Sequence, residues 1–119
     1  MKKVLLAVAK ALALDFEKVL KEEGFLILRA GDGQELLDLA REERPDLIIL
    51  ERNLPVLDGL SAILLLKNNK ITQKIPVVAV CEGKCNQEEQ ARDAGCDAYL
   101  TRPLNADKIR QILKELIQR

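Results

Sequence analysis

The chain has 119 residues and a mass of 13.3 kDa, a size at which one domain buries about two thirds of its unfolded surface and holds a core without staples. Its 48% apolar and 32% charged residues exclude a disordered or fibrous chain. Nineteen basic residues cancel nineteen acidic ones, so no overall attraction draws the chain to nucleic acid or to a membrane surface, and neither is expected as a direct partner.

Met1, Lys2 and Lys3 before an apolar run mimic the start of a signal peptide, but the run is short and Lys10 interrupts it. Residues 4–8 therefore read as a first strand. Residues 9–23 follow as a helix with Leu12, Phe16, Val19 and Leu20 on one face, ended by Gly24. A second strand is expected over 25–29. Asp32 caps the next helix with Glu35 three residues on, and Leu36, Leu37, Leu39 and Ala40 face inward.

Pro45 and Asp46 stop that helix and open the segment 47–50, Leu-Ile-Ile-Leu. An uninterrupted apolar run of this length is the mark of a strand covered on both faces. It ends abruptly at Glu51. Asp58 is placed to cap a helix that Gly59 opens and that runs to about Asn68. Leu60, Ala62, Ile63, Leu64, Leu65 and Leu66 are spread nearly all round that helix, so one sheet face cannot cover them all. Leu64 and Leu65 are the expected exposed pair, and an interface with a protein partner or a second copy is expected there.

Residues 75–80 read as a fourth strand and 81–85 as a loop. Asn86 is expected to cap a short helix that Gly95 closes. A fifth strand over 98–100 leads through Thr101, Arg102 and Pro103 to Asn105, which caps the last helix. Its stripe of Ile109, Ile112, Leu113, Leu116 and Ile117 has helical spacing. Strict alternation of strand and helix predicts an α/β fold: a doubly wound five-stranded parallel sheet, (βα)5, in the flavodoxin-like order 2-1-3-4-5 with helices on both faces. Residues 1–119 are read as a single domain, with nothing left over for an effector domain.

The stretch Glu51, Arg52, Asn53, Leu54, Pro55, Val56, Leu57, Asp58, Gly59 resembles the response-regulator receiver domains of two-component signalling. The resemblance implies a strand-end acceptor of phosphate at Glu51, where the family has Asp. It implies an acidic, Mg2+-holding pair at Val8 and Ala9, a Ser or Thr at Cys81, a switching aromatic at Tyr99 and a Lys at Arg102. The positions that shape the fold agree with the family, whereas Val8, Ala9, Glu51, Cys81 and Arg102 all depart from its chemistry. The Mg2+ site is therefore expected to be lost, and no catalysis or cofactor is expected. The implied module is a pseudo-receiver, related to a phosphorelay but independent of phosphorylation, that works in the cytoplasm by protein–protein contact with a histidine kinase, an effector or itself.

Two alternatives stay open on the sequence. One is a working phosphoacceptor with an atypical site. The other is a sensor of small anions or thiol redox state built on Lys10, Arg52, Arg102 and Cys81. Cys81 and Cys85 are spaced C-x3-C, but three cysteines in a chain of this size point to reduced thiols, and without histidine no closed zinc site is expected. Tyr99 also reads as an amphipathic ring on a strand, and Glu51 as a solvated strand-end acid. A pair between Glu51 and Arg102 is a further expectation.

Overall fold

A computed structural model describes residues 2–81 and 88–117. Within them strands and helices alternate as β1 Lys3–Ala7, α1 Lys10–Glu22, β2 Leu26–Arg29, α2 Gly33–Glu43, β3 Leu47–Glu51, α3 Gly59–Lys67, β4 Val77–Cys81, α4 Glu88–Ala94, β5 Ala98–Thr101 and α5 Ala106–Leu116. The sheet is parallel throughout, in the order β2-β1-β3-β4-β5. This is the expected doubly wound arrangement. β3 and β4 are buried at every residue, because they lie inside the sheet and helices cover both faces.

Alternation along the strands divides the core. Val4, Leu6, Ile49, Val78 and Val80 pack with Leu12, Phe16 and Leu20 of α1 and with Ile109 and Leu113 of α5. On the other face Leu5, Ala7, Ile48, Leu50 and Ala79 meet Leu36 and Ala40 of α2, Ile63 and Leu66 of α3, and Ala91 of α4. The lysine-led N-terminal run is thus an inner strand, its residues Val4 to Ala7 all buried.

Side-chain caps stand where the sequence places them. Asp32 accepts from the Glu35 amide at 2.8 Å, Asp58 from Ser61 at 2.9 Å and Asn105 from Lys108 at 2.9 Å. Some boundaries shift. Phe25 is still tied to α1, its amide donating to the Leu20 carbonyl after Gly24 turns at φ +81°, so β2 starts at Leu26. Cys81 does not open a loop but pairs with Thr101 as the last residue of β4. Cys85 and Asn86 lie outside the described residues.

Candidate functional site

The parallel register brings the singled-out residues to one edge of the sheet. Ala7 pairs with Leu50, so Val8 follows β1 at the level where Glu51 ends β3. Glu51 pairs in turn with Val80, and Cys81 with Thr101, just before Arg102. In open parallel sheets the carboxyl ends of the strands are where ligands bind. All five residues therefore lie along the carboxyl edge of the sheet, Val8, Ala9 and Glu51 at the point between β1 and β3 where the winding reverses and Cys81 and Arg102 at the ends of β4 and β5.

Their environments differ. Glu51 retains 7% of its exposure and Cys81 2%. Val8 is half-buried against the core on the α1 side, and Ala9 is exposed at the N-cap of α1, where it supplies no side-chain hydrogen bond. Arg102 is exposed beyond β5. The hydrogen bonds and ion pairs found among the described residues do not join Glu51 to Arg102, although each has an interaction of its own.

The loop after Glu51 is tightly built. The Arg52 carbonyl accepts from Leu54 at 3.0 Å and from Gly59 at 2.7 Å, and the Pro55 carbonyl accepts from Gly33 at 3.1 Å. The Ser61 amide holds the Asp58 carboxyl below the usual carboxylate range, helped by the Ser61 hydroxyl at 3.1 Å and the Arg52 charge. Asp58 is a structural cap, as expected. Tyr99 is half-buried opposite Ala79, and burial, with the Glu88 carboxylate, pushes its phenol above the ordinary range.

Lys10 is exposed at the start of α1. It lines a cleft of about 590 Å3 with Val8, Leu14, Glu35 and the Glu17–Arg29 pair, and neither Arg52 nor Arg102 is among its walls. Cys81 is disulfide-bonded, whereas Cys96 is free and buried. This corrects the expectation of three reduced thiols. That expectation rested on chain size, which removes the need for a disulfide but does not prevent one.

Among the described residues no three His, Cys, Asp or Glu side chains gather closely enough to hold a metal ion, and no helix is long and apolar enough to cross a membrane. Leu64 and Leu65 lie away from the sheet edge on the outer side of α3, at 48% and 50% exposure. The reading of α3 as too apolar for one sheet face holds. The left-handed Val56, at φ +70°, has no signal in the sequence, and neither has the tie of Lys67, the last residue of α3, to Asp97.

A parallel 2-1-3-4-5 sheet whose third strand runs through the 51–59 motif into a capped helix defines a two-component signalling domain. The chain belongs to the response regulator receiver domain family, whose model matches residues 9–114. It is 35% identical over 103 residues to the polar-differentiation response regulator DivK of Brucella anthropi, covering 86% of this chain and 84% of that one. It also superposes on the receiver domain of a Francisella response regulator with a TM-score of 0.87 at 28% identity, over 100% of this chain and 98% of that one. The receiver domain of a sensor histidine kinase from Pseudomonas aeruginosa, solved with magnesium coordinated in its active-site cleft, gives 0.86 at 25% identity, over 99% and 98% of the two chains.

Proposed function

We propose that the chain is a pseudo-receiver: a non-enzymatic signalling module that keeps the receiver frame and acts through protein–protein contact, without phosphorylation. The observation that carries this reading is the apolar pair Val8 and Ala9 at the level of Glu51. Phosphoryl transfer depends on positioning and on neutralising the phosphoryl oxygens, and these two side chains offer no oxygen for it.

The donor set does not fit Mg2+, which asks for near-octahedral oxygen ligation. Glu51 supplies one buried carboxylate, and Asp58 is engaged as a helix cap. Glu51 also carries one methylene more than Asp, and a displacement of about 1 Å at a reacting group costs on the order of a hundredfold in rate. Its place at the acceptor position supports instead a carboxyl group standing where a phosphorylated Asp would be.

The family supports a histidine kinase or an effector of a two-component system as the class of partner, and the exposed Leu64 and Leu65 mark one surface for contact. A cytoplasmic location belongs to this reading and rests on the domain type, not on the cysteines. Incubation with acetyl phosphate, with and without Mg2+, followed by intact-mass measurement, tests it beside a receiver that reacts. The reading expects no adduct while the control is labelled. A Mg2+-dependent phosphate adduct would establish the working phosphoacceptor instead.

A further inference from the structure

We propose that the cleft at the carboxyl ends of β1 and β2 binds a small zwitterion with an apolar body, of the class of an amino acid with an aliphatic side chain. The cleft opens between α1 and the first turn of α2 and encloses about 590 Å3, within the range of about 300–1,000 Å3 over which proteins hold small molecules. Leu6, Val8, Ala13, Leu14 and Ala30 give it apolar walls. No aromatic ring stands among the described walls to stack on a planar ligand. The carboxyl ends of strands in an open parallel sheet are where ligands bind. Such a site is independent of phosphate uptake at Glu51, which is not among the described walls.

Charge on the walls selects the ligand. Lys10, Glu17, Arg29 and Glu35 are the charged side chains among the described walls. Glu17 and Arg29 neutralise each other in an ion pair at 2.5 Å, and the Asp32 carboxyl beside them accepts from the Glu35 amide. Lys10 and Glu35 remain. Both are exposed, and neither side chain has a hydrogen bond or ion pair among the described residues. Lys10 opens α1, which has no side-chain cap and no acidic residue in its first turn, so the helix dipole adds to the lysine charge. Two free charges of opposite sign thus share one cleft without reaching each other. An anion would be drawn to Lys10 and repelled by Glu35, and a cation the reverse, whereas a zwitterion satisfies both. Its carboxylate sits at Lys10, its ammonium at Glu35 and its aliphatic chain against Ala13 and Leu14. Covering Leu14, which is 70% exposed, supplies the apolar contribution.

Titration of the isotope-labelled full chain with L-leucine, followed by amide chemical shifts, tests this. Saturable shifts are expected in the first turns of α1 and from Arg29 to Glu35, with a dissociation constant on the order of a millimolar, the strength that two exposed charge contacts and a small apolar surface allow. Glycine lacks the apolar body, isocaproate the ammonium and isoamylamine the carboxylate. Each should bind roughly two- to tenfold more weakly than leucine. Lys10→Gln and Glu35→Gln should each weaken leucine by a similar factor with an unchanged circular-dichroism spectrum, and Ala13→Phe, which fills the cleft, should abolish the shifts. Leucine that causes no saturable shift, or shifts only elsewhere in the chain, would overturn the site. Isocaproate or isoamylamine binding as well as leucine would overturn the zwitterion, as would an affinity that neither Gln variant changes.

Discussion

Gly59 stands directly against Glu51: a Cβ on residue 59 would overlap the Glu51 carbonyl oxygen and lie 2.8 Å from the Cα of Arg52. The end of β3 and the start of α3 touch backbone to backbone, and the Gly59 amide fastens the contact on the Arg52 carbonyl. Gly59→Ala must push the two apart. It should cost about 1–3 kcal/mol, the scale of a forced backbone shift in a packed site. Urea denaturation reads this directly, and an unchanged midpoint would mean that the loop yields without resistance.

Val56 lies in the same loop at φ +70°, a left-handed conformation that branching at Cβ disfavours. It is 81% exposed, so little burial is lost on replacing it. Val56→Asn should therefore stabilise the chain by about 1 kcal/mol, since Asn tolerates this region. Thermal melting of a monomeric sample checks it, and a lowered midpoint would contradict the strain argument.

Asp58→Ala removes the cap of α3 and should cost about 1 kcal/mol at neutral pH. The Asp58 carboxyl is held below its ordinary range, chiefly by the Ser61 amide, so in acid the unfolded chain takes up the proton before the folded one. This contribution is fully present above the unfolded-state pKa and is lost as pH falls through the lower folded-state value. The gap between wild type and Asp58→Ala should narrow on acidification. A gap that widened in acid would have the wrong sign.

Lys67 ties α3 to the entry of β4. Its Nζ donates to the Ile75 carbonyl at 2.8 Å and to Asp97 at 2.9 Å, and Asp97 accepts from the Val77 amide at 2.8 Å. Lys67→Met should cost about 1–3 kcal/mol by leaving these acceptors under-satisfied. In a double-mutant cycle with Asp97→Asn the two losses should be less than additive. Strict additivity would separate the groups.

Much of this architecture is written locally. The caps at Asp32, Asp58 and Asn105 follow from residue type and spacing, and the continuous apolar run of β3 announces an inner strand. The position of Glu51 at a strand end follows as soon as that run is recognised. What escaped depends on contacts distant in sequence. Gly33 is required because a Cβ there would overlap the Leu57 carbonyl oxygen, more than twenty residues away, and nothing near Gly33 encodes it. Val56 adopts a conformation its type disfavours because the loop is fixed at both ends, by Pro55 to Gly33 and by Arg52 to Gly59. The burial of Glu51 against the exposure of Arg102 is likewise set by the depth of each strand end in the sheet, which spacing does not report.

If the receiver frame is retained while its phosphoryl chemistry is absent, restoring the family residues should bring the chemistry back. Wild type is compared with a chain carrying Val8→Asp, Ala9→Asp, Glu51→Asp, Cys81→Thr and Arg102→Lys, both given acetyl phosphate and Mg2+ and read by intact mass. A Mg2+-dependent phosphate adduct is expected on the restored chain and none on wild type. An adduct on wild type, lost in Glu51→Gln, would contradict it and make Glu51 a working acceptor.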